Sequence, residues 1–187
     1  VMKQDTLIVT AGRDPEANHG VVNPPVYHAS TILFPTVADL EASQSYRLDR
    51  DTTYYGRFGT PTTFSFQDAV AELDGGHRAI AVASGKCATL VALVAFLKSG
   101  DHLLMVDSAY APTRALCDGF LSRFGIITTY YDPLIGTDIR ELIRPETRII
   151  FTESPGSQTF EIQDISAITS AAHAHGCTVL MDNTWAT

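Results

Sequence analysis

Residues 79–100 set an almost uninterrupted apolar run around one polar turn, Ser84-Gly85-Lys86. Before the turn, Ala79–Ala83 alternates small and β-branched residues and reads as a short buried strand. After it, Cys87–Lys98 carries Ala, Leu, Val and Phe on every side, as a buried helix does, and Gly100 stands where a C′ residue would end that helix. The first N–H groups of a helix lack internal partners and carry the positive end of its dipole, so the turn is suited to an anion, a phosphate above all. An ordinary βα connection would look the same. A P-loop is excluded, because Ile80 and Cys87 occupy its first Gly and its Ser/Thr positions, and no Gly-x-Gly-x-x-Gly follows the strand.

The alternation continues to the end of the chain. Asp101–Val106 reads as a strand delivering Asp107-Ser108-Ala109-Tyr110, and Pro112 suits the first turn of a helix through Leu116, Phe120 and Leu121 that Gly125 stops. Ile126–Tyr131 is the next strand, Asp138–Ile143 a short helix capped by Thr137, and Arg148–Thr152 a strand ending in Glu153-Ser154-Pro155-Gly156-Ser157. Asp164 caps a helix over Ile165–His175, Gly176 ends it, and Cys177–Met181 is a last strand carrying Asp182-Asn183-Thr184-Trp185. Short connections between alternating strands and helices imply right-handed βαβ units. The expected fold is therefore α/β, a mostly parallel sheet with helices on both faces. Ligands of such sheets sit at the carboxyl ends of the strands, which gathers Ser84, Gly85, Lys86, Tyr110, Ser157 and Asp182 along one edge.

Residues 1–50 differ. Pro and Gly punctuate a segment of little periodicity, an extended N-terminal arm expected to lie against a neighbouring subunit, with a short helix over Val37–Ser43. The loop Thr52–Thr60 sets Tyr55 and Arg57 about Gly56, a hydroxyl and a guanidinium suited to clamping phosphate, although turn chemistry and a solvated arginine would give the same residues. Thr62 or Thr63 would cap a helix through Leu73 that Asp74-Gly75-Gly76 ends.

Composition narrows the partners. A net charge of −8 without a Lys/Arg cluster argues against nucleic acid. The apolar run Val91–Leu97 is too short for a bilayer, so no membrane partner is expected. Three distant cysteines without Cys-x-x-Cys, behind a start with no leader pattern, suggest a reduced, cytoplasmic protein. His173, His175 and Cys177 tempt a metal reading. Helix residues two apart diverge and no carboxylate completes the set, so no metal is expected.

Each member of the strand-end edge has a bland reading: Asp182 as a turn cap, Tyr110 as a packed aromatic, Lys86 as a helix-start residue. Together they fit one chemistry, a pyridoxal phosphate site with a helix N-terminus for the phosphate, an aromatic for the ring and a carboxylate to keep the ring nitrogen protonated. A nucleotide-binding domain and a non-catalytic binding half-domain are the competing classes.

Five runs in order, Tyr54–Thr62, Ala83–Lys86, Tyr131–Gly136, Glu153–Ser157 and Met181–Trp185, resemble the Cys/Met-metabolism family of pyridoxal phosphate enzymes, with Asp-Pro-Leu-Ile-Gly and Glu-Ser-Pro-Gly-Ser favouring its cystathionine β-lyase branch. The resemblance implies a fold-type I large domain whose N-terminal portion is residues 51–187. It also implies a homotetramer of dimers that share active sites, and β-elimination of cystathionine to homocysteine, pyruvate and ammonia. Cystathionine γ-synthase, γ-lyase and cysteine-S-conjugate β-lyase are the related alternatives. By the same resemblance Gly85 and Lys86 give backbone N–H groups to the cofactor phosphate beside Ser84, and Tyr55 and Arg57 reach the phosphate of a neighbouring subunit. Tyr110 stacks on the ring and helps deprotonate the substrate amine, Asp182 pairs with the ring nitrogen, and Thr184 lines the ring's other face. Ser157 stands where the wider family often has Asn, which leaves its role open. The lysine that holds the cofactor and the arginine for the substrate carboxylate lie beyond residue 187 in the family pattern. Lys3, Lys86 and Lys98 are the only lysines here, so the chain reads as part of a longer polypeptide.

Overall fold

Strand β1, His102–Val106, is buried at every position and forms the centre of the fold. In a computed structural model describing residues 2–47, 49 and 52–185, it pairs in parallel with β2 (Ile127–Tyr131) on one side and β3 (Thr147–Glu153) on the other, and β3 pairs with β4 (Thr178–Asp182). The sheet order is β2-β1-β3-β4, all parallel. Right-handed crossovers that leave β1 one way and β3 the other place their helices on opposite faces. Accordingly the 3-10 helix Gly136–Leu142 packs with α6 (Ile165–Ala174), while α4 (Gly85–Phe96) packs with α5 (Ala111–Ala115). The core these layers enclose includes Leu93, Leu104, Leu121, Ile139, Ile150 and Ile168.

The amino ends of the strands are tied by a buried polar layer. The His102 ring nitrogens stand 2.7 Å from Thr147 Oγ1 and 2.9 Å from Thr129 Oγ1, and Thr147 Oγ1 accepts from the Arg144 N–H at 2.8 Å. Burial, then the Arg144 charge, hold the imidazole below its ordinary pKa against a weaker opposing pull from Glu146, so a neutral ring is favoured.

The chain divides into two compact units, Val1–Ala81 and Val82–Thr187. Within the first, α1 spans Gln4–Thr10, α2 Val37–Ser43 and α3 Pro61–Leu73. Helix α2 begins in a capping box, with the Asp39 N–H donating to Thr36 Oγ1 and the Thr36 N–H to Asp39 Oδ2, each at 3.1 Å. Gly56 lies so close to the Ala29 carbonyl that a Cβ would have no room. Its N–H donates to Ser30 O at 2.8 Å, which pins the loop carrying Tyr55 and Arg57 to the segment before α2.

Five local expectations differ from the structure. Thr137 caps no helix: the 3-10 helix Gly136–Leu142 already contains it and starts from Ile135, which makes no side-chain cap bond. Residues 79–83 form no strand, and Ile80 is 72% exposed. Alternation licenses a strand but does not supply the neighbour it must pair with. Helix α4 is apolar all round as read, yet Leu93 is its one buried residue, while Val91, Val94 and Phe96 are exposed. An all-apolar helix is buried only where other elements cover each face. The helix after Pro112 is broken: α5 passes into a π-helical turn over Leu116–Leu121. Thr62 does not cap α3, which starts with Thr60 at the N-cap and Pro61 at N1. Its hydroxyl instead donates to Pro25 O at 2.7 Å and accepts from the Tyr27 N–H at 2.9 Å. The helix α1, inside the segment read as an arm, has no side-chain cap at its start, although Gly12 with φ +69° follows its C-cap Ala11.

Candidate active site

The strand order reverses between β1 and β3, because the chain leaves β1 for β2 on one side and β3 for β4 on the other. In open parallel sheets that reversal opens a crevice at the carboxyl ends. Here two loops meet across it: Glu153 Oε2 accepts from the Tyr110 N–H at 2.8 Å, and the Ser157 N–H donates to Ser108 O at 2.8 Å. Beside them lies a cleft of about 500 Å³, within the usual range for small-molecule sites.

The first turn of α4 forms one wall. Ser84 is its N-cap, with Oγ accepting from the Cys87 N–H at 3.2 Å, and the Ala88 N–H donates to Ser84 O at 2.9 Å. Among the first-turn amides, helix geometry therefore leaves those of Gly85 and Lys86 for a ligand. A Cβ on Gly85 would meet nothing within 4 Å, so an anion can approach the backbone closely. Gly85 and Lys86 both line the cleft.

Tyr110 comes from the loop after β1 and is 53% exposed, lining the cleft with its ring available to a planar ligand. Asp182 ends β4. Its Oδ1 accepts from the Thr184 N–H at 3.0 Å and from Thr184 Oγ1 at 2.6 Å. The turn-cap reading of Asp182 and a role in the cleft thus coexist, because the turn fixes the carboxylate. Ser157 and Thr184 line the same cleft.

Six of the residues read from sequence, Gly85, Lys86, Tyr110, Ser157, Asp182 and Thr184, are therefore brought together, with Ser84 organising the helix start. Tyr55 and Arg57 lie in the other unit, where the Arg57 guanidinium stands 5.6 Å from the Tyr55 ring centre and 5.1 Å from that of Phe58. Among the described residues, no cluster of His, Cys, Asp and Glu could hold a metal ion, and no helix is long and apolar enough to cross a membrane.

Sequence reasoning passed over Glu153. It lines the cleft, pairs in register with Asp182, and is held above the ordinary carboxylate pKa by burial and then by the Asp182 charge, against its bond from the Tyr110 N–H. The available signal was an acidic residue at the carboxyl end of a strand neighbouring another such strand. Phe160 and Trp185 were also missed. They meet edge to face at the cleft with ring centres 5.5 Å apart.

A helix N-terminus, an exposed aromatic ring and a strand-end carboxylate are what a phosphorylated, protonated heterocycle requires. The family model for Cys/Met metabolism PLP-dependent enzymes matches residues 5–187. The chain belongs to that family. The family's cofactor, pyridoxal phosphate, fits the residues present: amides for its phosphate, a ring for its ring and a carboxylate for its nitrogen. Among its relatives, a putative cystathionine beta-lyase of Saccharomyces cerevisiae is 47% identical over 97% of this chain and 52% of that protein. The cystathionine beta-lyase of Salmonella typhimurium is 40% identical over 97% of this chain and 46% of that protein. Family members do not share one reaction, since an L-alanine/L-glutamate racemase of Wolbachia pipientis is 39% identical over the whole chain and 48% of that protein. The crystal structure of cystathionine gamma-lyase from Lactobacillus plantarum superposes with a TM-score of 0.86 at 29% identity, covering 100% of this chain and 46% of that one. The chain thus has the fold-type I α/β architecture and spans about half the length of the relatives it matches.

Proposed function

We propose that the chain forms the cofactor-cradling part of a carbon–sulfur lyase that eliminates homocysteine from L-cystathionine, with pyruvate and ammonia as the other products. The observation that carries this reading is the single cleft that joins the α4 N-terminus, Tyr110 and Asp182. The frequency of cystathionine beta-lyase names among the relatives favours β-elimination of cystathionine over the family's other reactions. Bound there, pyridoxal phosphate supplies an electron sink for charge developing at the substrate Cα.

The chain's own residues do the rest. The Gly85 and Lys86 amides, at the positive end of α4, hold the phosphate. The Tyr110 ring would stack on the heterocycle, and its hydroxyl would take a proton from the substrate amine. The Asp182 carboxylate, oriented by Thr184, holds a proton on the ring nitrogen. Opposite charges about 4 Å apart interact by roughly 4 kcal/mol at an effective dielectric near 20, equivalent to about three units of proton affinity. Thr184 would line the ring's other face, and Ser157 lines the same cleft.

Tyr55 and Arg57 reach the phosphate of a neighbouring subunit, residues 1–50 act as an arm across that neighbour, and the assembly is a cytoplasmic homotetramer.

The test is Asp182→Ala in the full-length protein, assayed for pyruvate formation from cystathionine. Turnover should fall at least about a hundredfold, about 2.7 kcal/mol of transition-state stabilisation. Unchanged turnover with bound cofactor would refute the assignment of Asp182. Absence of pyruvate in the unsubstituted, cofactor-loaded protein would refute β-elimination.

A further inference from the structure

Two carboxylates end adjacent strands in this cleft. Glu153 and Asp182 are the last residues of β3 and β4 and are Cα partners in the parallel ladder. Matched positions of neighbouring strands share one face of the sheet, so two like charges are set side by side at the cleft floor. That arrangement is unfavourable: burial first, and the Asp182 charge in smaller measure, raise the Glu153 carboxyl against its bond from the Tyr110 N–H. An amide or hydroxyl could line a cleft without that penalty.

What Glu153 does there is visible in its partner. Tyr110 is the N-cap of α5, a five-residue helix that has no side-chain cap. Its carbonyl is used, accepting from the Thr113 N–H at 2.8 Å and the Arg114 N–H at 3.2 Å. Its N–H points away from the helix and is held by Glu153 Oε2 at 2.8 Å, from a strand 43 residues on. The other side of the same turn is closed by Arg114, whose Nη1 donates to Asp107 O at 2.6 Å and pairs with the Asp107 carboxylate. The turn is therefore clamped at two points, and the clamp at the ring-bearing residue comes from Glu153. A charged acceptor on an amide is roughly twice as strong as a neutral one.

We propose that Glu153 is a positioning residue that fixes the Tyr110 backbone, and with it the Tyr110 ring, relative to Asp182. Its functional meaning rests on the ring-stacking role proposed for Tyr110.

Two conservative variants of the full-length protein separate geometry from charge. Glu153→Asp keeps the charge and withdraws the acceptor by about 1.5 Å, one carbon–carbon bond. Glu153→Gln removes the charge and keeps an oxygen at the same reach. Residue-resolved hydrogen–deuterium exchange of the Tyr110 amide is read in the cofactor-free protein, and the circular dichroism induced in bound pyridoxal phosphate in the loaded one. Glu153→Asp should speed Tyr110 exchange at least about tenfold and diminish the induced signal, while Glu153→Gln, a weaker neutral acceptor at the same reach, should speed exchange clearly less and largely keep the signal. Unaltered exchange in Glu153→Asp overturns the proposal. So does Glu153→Gln exchanging as fast as Glu153→Asp, because an acceptor at full reach would then hold the Tyr110 N–H no better than a withdrawn one. If exchange responds as expected and the induced signal does not, Glu153 positions Tyr110 and the stacking role fails instead.

Discussion

Replacing Gly156 by Ala strains the turn that brings Ser157 to the cleft. A Cβ there would stand 2.6 Å from Ser108 Oγ, 2.8 Å from Ser108 Cβ and 2.9 Å from Glu161 Oε2. The two oxygens can move, one by rotation of a hydroxyl that makes no hydrogen bond among the described residues and one at the end of a longer side chain. Ser108 Cβ cannot, and it must retreat to at least 3.4 Å for an ordinary contact. Only backbone movement can supply that difference, yet the backbones are pinned by the Ser157 N–H to Ser108 O bond at 2.8 Å and the Gly156 N–H to Glu161 O bond at 2.9 Å. Overpacking of this kind costs about 2 kcal/mol, a melting shift of a few degrees. Because Ser108 lies two residues before Tyr110, pyridoxal phosphate should also bind less tightly. The control is Gly119→Ala, in the π-helical turn, where a Cβ meets nothing within 4 Å and helix propensity makes the change neutral or stabilising. Thermal melting and a cofactor titration of both variants provide the assay. Equal melting temperatures for Gly156→Ala and the unsubstituted protein would refute the packing argument.

Two further outcomes follow from the same geometry. His102 has its folded pKa lowered, so its contribution to stability is complete above the unfolded value near 6.5 and is lost as pH falls below it, where the unfolded chain takes up a proton that the native ring resists. Denaturant midpoints at about pH 7.5 and about pH 5.5 should therefore fall more in the unsubstituted protein than in His102→Gln, and equal falls would refute the buried neutral ring. Ser84→Ala removes the acceptor for the Cys87 N–H and should lower stability by about 1 kcal/mol, read as a shift in the same midpoint.

What local chemistry could determine was legible in the residues. Ser84 and Asp164 accept from the N–H three residues on, a bond within one turn that needs no partner from elsewhere. Asp182 was legible for the same reason, since its turn with Thr184 is local and its place at a strand end follows from the alternation of elements. The four strands fall within a residue of their expected bounds, and for the inner strands β1 and β3 the reason is that a central parallel strand must be apolar on both faces.

Other features were decided in the tertiary structure. The segment 79–83 has the composition of a strand, but pairing is a property of two segments. Helix α4 has the composition of a buried helix, but burial belongs to whatever covers it. Glu153 is the clearest case: its sequence neighbourhood suggests only a strand end, and its importance comes from β4 placing Asp182 beside it and β1 delivering the Tyr110 N–H to its carboxylate. The sequence alone thus determined the four strands that pair, the α6 cap at Asp164 and the chemical character of the strand-end edge, since those depend on interactions within one turn or one strand. Which groups meet across that edge was left to the sheet order β2-β1-β3-β4, because only the packed sheet brings residues 43 positions apart within a hydrogen bond of each other.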